Sequence, residues 1–179
     1  VIDFAIKEFG LPENLKMSIH SGSDKFAVYP LIGSIISKHN KGIHIKTAGT
    51  TWLEEVIGLA VSGGEALTFV KEIYFESLDM TEELCAPYAD VIDIRTDHLP
   101  SKAEVSGWDS LKFASAIRHI PNNQYYNADM RQLLHVAYKL AAHKMDDYFR
   151  LLDKFESQVS ASVYENIYNR HICRLFDIK

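Results

Sequence analysis

Ionisable side chains stand at the ends of two short apolar–polar alternations near the start of the chain. His20 ends the first alternation, and His44 and Lys46 belong to the second, while Asp24 and Lys25 follow in the turn after His20. A neutral imidazole is the commonest nitrogen ligand of borderline divalent metals, and two such groups on neighbouring strand ends can share one ion. One interpretation of the pattern is therefore a metal site with cationic and acidic groups beside it.

The elements that must position these residues are predicted from the period-two alternation. Strands are predicted over Lys16–His20, Ile43–Lys46 and Val91–Arg95. Because successive side chains point to opposite faces of a strand, each segment has an aliphatic face and a polar face. The polar face of the third carries Asp93 and Arg95.

Each predicted strand is followed by a short turn, and after the first two a helix follows, which is typical of parallel β/α units. The sequence therefore predicts an α/β fold, the C-terminal half of a TIM-like β/α barrel, over residues 1–120. From about residue 121 the pattern predicts a helical tail, 121–179, packed on the same domain, with helices over Asp129–His143, Asp146–Glu156 and Val159–Asp177. An open three-layer sheet stays an alternative. A barrel collects its active-site residues at the C-terminal strand ends, which adds Arg95 to the candidate substrate contacts.

A purely structural interpretation of the same residues is also open. An isolated histidine at a strand end is more often a hydrogen-bonded structural residue than a metal ligand. Lys46 and Arg95 could form an internal ion pair with Asp93, and Ser21–Ser23 could be a tight turn. A Gly/Ser turn that opens a helix also presents N–H groups to an anion, so a substrate carboxylate fits there as well.

Composition excludes several function classes. The chain has 19 Lys and Arg against 24 Asp and Glu, a net charge of −5, so it predicts no nucleic-acid or anionic-membrane partner. No apolar run approaches the roughly 20 residues that span a bilayer. Cys85 and Cys173 are far apart, which favours reduced thiols in a cytoplasmic protein. The chain opens inside a predicted helix, with Gly10 and Pro12 as its stop signals, and without an initiator Met, so we expect a longer protein with further β/α units upstream.

Three blocks resemble the tagaturonate epimerase family. They are Ser18–Phe26 with Tyr29-Pro30 behind it, Ile43–Thr50 continued by Trp52-Leu53-Glu54, and Arg131–Tyr138 in the tail. The resemblance runs over most of the chain. It implies His20 and His44 as metal ligands and Asp24, Lys25 and Lys46 as substrate contacts. Arg131 and His135, one helical turn apart, are expected to pack the tail rather than to support the site.

The resemblance also implies a function: a metal-dependent isomerase of hexuronate catabolism that interconverts D-tagaturonate and D-fructuronate. Retro-aldol cleavage and re-addition is the expected route, with a divalent cation (Zn, Mn, Ni or Co) and a general base outside this chain. A small ketouronate is the expected partner, and a homo-oligomer stays open. The alternatives are another metal-dependent β/α-barrel sugar isomerase or aldolase, and a non-catalytic carbohydrate-binding fragment.

Overall fold

The computed structural model describes residues 1–20 and 25–178 and has an α/β fold that is mostly helical. The chain forms two compact units. The strand unit comprises Val1–Ala48 and Glu165–Lys179, and the helical unit comprises Gly49–Tyr164. These units are defined by packing within this chain, whereas the expected boundary at residue 120 concerns a barrel domain and stays a prediction.

The strand unit is built on a parallel pair of strands. Strands β1 (Met17–His20) and β2 (Ile43–Lys46) are paired from Met17 with Ile43 to His20 with Lys46. Helix α2 (Tyr29–Lys38) lies between them in the chain, because parallel neighbours need a crossover connection. These bounds confirm both predicted strands and the helix between them, within three residues at each end.

Helix α1 (Ile2–Phe9) precedes the strands and ends at Gly10. Gly10 has φ 61°, a left-handed conformation that glycine adopts without steric cost, so the predicted stop signal is confirmed. The carboxylate of Asp3 contacts Lys41 Nζ and His39 Nδ1, each at 3.2 Å. The Lys41 and His39 contacts together lower the pKa of Asp3, with the Lys41 hydrogen bond the largest cause.

The C-terminal segment completes the strand unit. A π-helix over Glu165–Ile172 continues into the short helix α12 (Cys173–Phe176), and α12 packs against α2. Gly33 of α2 sits at the contact, where a Cβ atom would lie 1.9 Å from the carbonyl oxygen of Leu175. The close approach of the two backbones therefore requires glycine at position 33.

The helical unit is a set of packed helices around one apolar core. Its helices are α3 (Ala48–Ser62, which begins at the last residue of the strand unit), α4 (Gly64–Asp79), α5 (Thr81–Cys85), α6 (Lys102–Ser106), α7 (Ser110–Ile117), α8 (Ala128–Val136), α9 (Tyr138–His143), α10 (Met145–Lys154) and α11 (Glu156–Tyr164). Short 3₁₀ turns lie at Ala86–Tyr88 and Thr96–His98. Gly63 and Gly64 both have positive φ, which explains why α3 and α4 are separate helices.

Helix α3 is the centre of this unit. Residues 52–60 are buried, apart from the half-buried Glu55, and a helix that is apolar on nearly all sides is a core helix. Trp52 donates its indole N–H to the Leu134 carbonyl oxygen at 2.8 Å. A Cβ atom at Gly58 would lie 2.5 Å from Val159 Cα, so α3 and α11 meet at backbone distance.

The third predicted strand is wrong. Residues 91–95 include no strand, although the burial alternates as expected, with Ile92 and Ile94 half-buried and Asp93 and Arg95 exposed. Side chains of α8 take the place of a neighbouring strand. Asp129 accepts the backbone N–H of Arg95 at 3.0 Å, and Gln132 Nε2 donates to the Asp93 carbonyl oxygen at 3.4 Å. A period-two apolar–polar alternation indicates a half-buried extended segment, but it does not indicate whether another strand lies beside that segment to pair with it.

None of the helices among the described residues combines the length and the apolar character needed to cross a bilayer.

Candidate functional site

The polar face of the β1–β2 pair carries the residues that the sequence singled out. Ser18 is aligned with His44, and His20 with Lys46. Ser18, His44 and Lys46 are exposed, whereas Ile43 and Ile45 on the other face are half-buried. The predicted division into an aliphatic face and a polar face is therefore what the structure has.

His20 and His44 are not directly opposite each other. They are offset by two residues along the strand direction, about 6.6 Å at the usual rise of 3.3 Å per residue. The described partner of the His44 ring is Ser18, whose Oγ lies 3.4 Å from Nδ1. A serine hydroxyl at this atom fits a ring whose other nitrogen binds a metal, since metal-bound imidazoles are usually oriented by such a contact.

The donor set for a metal is incomplete among the side chains that the structure describes. Within them, three or more His, Cys, Asp or Glu residues nowhere form a group that could hold a metal ion. His44 has the right chemistry and exposure for one ligand. The side chain of His20 and the whole of Asp24 lie outside the described residues. A metal at this face therefore needs ligands beyond the described ones.

Lys25 follows directly after residues 21–24 and leads into α2. Its side chain is exposed, and its backbone N–H contacts Tyr29 Oη at 3.5 Å. Tyr29, the first residue of α2, is 1% exposed. The buried tyrosine thus contacts the backbone of Lys25, the first described residue after the predicted turn.

Arg95 belongs to the helical unit, whereas the ends of β1 and β2 belong to the strand unit. Its guanidinium donates to Asp129 Oδ2 at 2.9 Å, and His98 Nδ1 lies 3.8 Å from the same oxygen. Burial alone raises the pKa of Asp129, but the hydrogen bonds and charge of Arg95 outweigh it and lower that pKa overall. The ion pair that sequence reasoning considered for Arg95 thus exists, with Asp129 rather than Asp93 as partner. A substrate contact of Arg95 stays a prediction.

The family-like block in the tail contributes buried side chains to the helical unit, and whether it also supports the site stays a prediction. Arg131 is 6% exposed and donates through Nη1 to the Ile117 carbonyl oxygen at 2.6 Å. A Cβ atom at Gly49 would lie 2.0 Å from His135 Nε2, so this imidazole occupies the space over the start of α3.

Glu54 and His171 are among the buried polar residues that the sequence reasoning missed. Glu54 in α3 is 2% exposed and accepts a hydrogen bond from Ser162 Oγ at 2.9 Å. His171 in the π-helix is 2% exposed and contacts the rings of Phe26 and Tyr29. A signal for Glu54 existed, since it is a carboxylate in an otherwise apolar helical stretch. Nothing local indicates that His171 is buried.

An open groove in the helical unit holds none of the predicted residues. It is lined by residues 78–83 with Thr96 and Leu99. Asp79, Glu82 and Glu83 give it a negative lining, which disfavours an anionic substrate by charge repulsion.

The chain belongs to the tagaturonate epimerase family, because the UxaE family model matches it over residues 7–177. It is 32% identical to the tagaturonate/fructuronate epimerase of Thermotoga maritima over 164 residues, covering 89% of this chain and 30% of the relative. It is also similar to the glycerol-complexed crystal structure of fructuronate-tagaturonate epimerase UxaE from Cohnella laeviribosi. That likeness has a TM-score of 0.68 and 27% identity, and covers 96% of this chain and 31% of the other. The chain thus spans about a third of the length of these relatives.

Proposed function

We propose that the protein to which this chain belongs is an isomerase that interconverts D-tagaturonate and D-fructuronate. The observation that carries the proposal is the family match over residues 7–177, which includes the blocks at the ends of β1 and β2. The relatives named above are epimerases of these two sugar acids. A role in hexuronate catabolism in the cytoplasm, without nucleic-acid or membrane partners, is part of the proposal, and so is assembly with further copies of the chain.

The proposed architecture of the whole protein is a β/α barrel of which β1 and β2 are two strands. Parallel strands are normally covered on both faces and flanked by further strands, and two alone make a marginal sheet. Among the described residues, β1 and β2 pair only with each other. Further β/α units elsewhere in the protein would cover the two outer edges and bring more side chains to the polar face.

We further propose that His20 and His44 bind one divalent cation, with Zn, Mn, Ni and Co as candidates. The support is their place on one strand pair and, for His44, an exposed ring oriented by Ser18. When bound, such a cation supplies Lewis-acid stabilisation of negative charge on substrate oxygens. The two-residue offset leaves room for ligands from outside the described residues.

Asp24, Lys25, Lys46 and Arg95 are the proposed substrate contacts. The chain has net charge −5, so an anionic substrate needs local cations to overcome the general repulsion. Lys46 is exposed on the same strand pair as His44, and Lys25 follows the turn after β1. We propose that one of these lysines binds the carboxylate, because a hydrogen bond to a charged group contributes about 1.5–3 kcal/mol.

The chemistry favours a retro-aldol route. Tagaturonate and fructuronate differ at a hydroxyl-bearing carbon β to the ketone, where removal of the carbon-bound proton gives no enolate. Loss of the β-hydroxyl proton instead allows the bond between the α and β carbons to break, which gives an aldehyde and an enediolate. The aldehyde turns, the same carbons bond again on the other face, and the proton returns to the new hydroxyl. A carboxylate outside this chain is the proposed base.

The test is an NMR assay of the protein at its natural length with tagaturonate in D₂O. The proposal expects fructuronate to form without deuterium at the inverted carbon. Deuterium there would refute the retro-aldol route and leave the epimerase. No conversion of ketouronates, together with turnover of a neutral ketose or accumulation of cleavage products, would indicate another sugar isomerase or an aldolase. Sugar binding without turnover of any substrate would indicate a carbohydrate-binding protein.

A further inference from the structure

Ser18 and His44 lie side by side on the polar face of the strand pair. They are aligned in the parallel register of β1 and β2, and both side chains are exposed. The Ser18 Oγ atom lies 3.4 Å from Nδ1 of the His44 ring. Within the described part of the chain, this hydroxyl is the group in a position to decide which ring nitrogen of His44 carries the proton.

The length of the serine side chain explains why Nδ1 is the nitrogen that it contacts. Neighbouring strands of a sheet lie about 4.8 Å apart, and a serine oxygen extends only one bond beyond Cβ. Nδ1 is bonded directly to Cγ of the imidazole, whereas Nε2 lies on the outer side of the ring, farther from the backbone. A short side chain on the paired residue therefore reaches Nδ1, and Nε2 extends beyond the contact.

The hydrogen bond at Nδ1 has a consequence for the other nitrogen. A neutral imidazole has one N–H donor and one nitrogen lone pair, and its hydrogen bonds decide which nitrogen holds which. When Nδ1 donates to the Ser18 oxygen, the lone pair is on Nε2. A hydroxyl group also carries no charge, so it suits the neutral ring that metal binding requires.

We infer that Ser18 is a positioning residue for the proposed metal centre; this rests on the proposed function. Its oxygen accepts the Nδ1–H of His44 and so fixes the tautomer and the orientation of the ring, with Nε2 as the metal-binding atom. Histidines that bind metals nearly always donate their other ring N–H to such a partner. A separation of 3.4 Å is long for a hydrogen bond, and contacts of this kind in active sites often shorten when substrate is bound.

Two substitutions of Ser18 separate the role of its hydroxyl group from that of its position in the strand. Ser18→Ala removes the hydroxyl group, whereas Ser18→Thr keeps it on a β-branched residue that strands favour. Ser34→Ala is the matched control, since Ser34 is another exposed serine of the same unit, and its Oγ donates to the Leu31 carbonyl oxygen at 2.8 Å.

The first measurement is the tautomer of the His44 ring by ¹⁵N NMR, on the metal-free protein at its natural length with labelled histidine. The His44 signals are assigned with His44→Gln, at about pH 8.5, where a histidine ring is ordinarily neutral. The proton is expected mainly on Nδ1 in the unmodified protein, in Ser18→Thr and in Ser34→Ala. Ser18→Ala should lose this preference. A proton mainly on Nε2 in the unmodified protein would overturn the inference.

The second measurement is the affinity for Zn²⁺ and for Mn²⁺, by competition with a chelator. Ser18→Ala is expected to weaken binding about 10–100-fold, because it removes the group that orients a metal-binding ring. Ser18→Thr should remain within about threefold of the unmodified protein, and Ser34→Ala should not differ from it. An unchanged affinity in Ser18→Ala, or an equal loss in Ser18→Ala and Ser18→Thr, would overturn the inference.

The two measurements also separate this inference from the proposed function. A protein that converts no ketouronate refutes the proposed function, whatever the tautomer of His44. An active protein whose His44 ring has no preferred tautomer, and whose metal affinity does not depend on the hydroxyl group of Ser18, refutes the inference and leaves the proposed function intact.

Discussion

The strand unit and the helical unit differ in how much of their apolar surface is buried. The helical unit has a continuous core from Trp52 to Val159. In the described part of the strand unit the buried apolar side chains are Tyr29, Ile36 and Leu175, while Phe4 and Leu31 are 65% and 64% exposed. The strand unit nevertheless carries nearly all the predicted site residues. The residues proposed for chemistry thus lie on the less covered unit.

Because of this difference, the two units are expected to contribute unequally to the stability of the chain. Burying a large aliphatic or aromatic side chain contributes about 1.5–3 kcal/mol, so the helical unit holds most of the stability of this chain. The strand unit, with a small core and two paired strands, is expected to open at lower free energy. We therefore expect it to gain its rigidity from the rest of the protein, where ligands and covering strands are proposed.

The largest expected effect concerns the two histidines of the strand unit. His44→Ala and His20→Ala should each remove the metal and lower epimerase activity below detection, while the fold is kept. His39→Ala is the matched control, since His39 is another exposed histidine of the same unit and pairs with Asp3. Metal content by mass spectrometry and circular dichroism check this. Full metal occupancy in the double variant His20→Ala, His44→Ala would contradict the assignment.

The next prediction compares the stability of the two units through one helical glycine in each, Gly33 in the strand unit and Gly58 in the helical unit. An alanine at either site forces backbone apart, because its Cβ would lie 1.9 Å from Leu175 O at position 33 and 2.5 Å from Val159 Cα at position 58. Each clash outweighs the roughly 1 kcal/mol gain in helix propensity and costs about 1–3 kcal/mol or more. Gly58→Ala should lower global stability, whereas Gly33→Ala should release only the strand unit and lower activity.

Hydrogen exchange measures the two outcomes, with amide protection in α2 and β2 reporting the strand unit and α3 and α4 the helical unit. Gly107→Ala is the control, because the nearest atom to its Cβ is an ordinary contact at 3.7 Å. If Gly33→Ala lowered protection equally in both units, the two would open together and the comparison would fail.

The secondary structure of the strand unit was largely predictable from the sequence, although this unit is small. β2 has the predicted bounds, and α1 ends at Gly10 as expected. These elements depend on local signals: a two-residue period, a glycine with positive φ and a short polar turn. His44, Lys46 and the exposed polar face followed from the same period.

What the sequence could not predict depends on contacts between distant segments. Residues 91–95 have the two-residue period of a strand but are not paired with one. Arg95 forms its ion pair with Asp129 of α8 and not with Asp93. The tail pattern from Asp129 to His143 predicted one helix, but α8 and α9 are separated at Ala137. The burial of His171 against Phe26 joins residues about 145 positions apart, which no periodicity reports.

The smallest expected effect concerns the two lysines of the strand unit. Lys25→Met and Lys46→Met remove a charge without much change in side-chain length, so they should leave stability unchanged. At least one should reduce the preference for the ketouronate over the neutral ketose, measured as the ratio of kcat/KM values, by roughly tenfold. Lys38→Met is a control, since Lys38 lies in the last turn of α2. An unchanged ratio in both variants would exclude these lysines as carboxylate ligands.

The central claim is that this chain supplies only part of the active site. The most direct test is an assay of the 179-residue chain alone, with and without the remainder of the protein added in trans. A site that is only partly supplied by the strand unit predicts weak metal binding and no measurable epimerisation by the chain alone. Activity should appear when the remainder is added. Turnover by the 179-residue chain alone would contradict the account, because it would mean that all the ligands and the base lie within these residues.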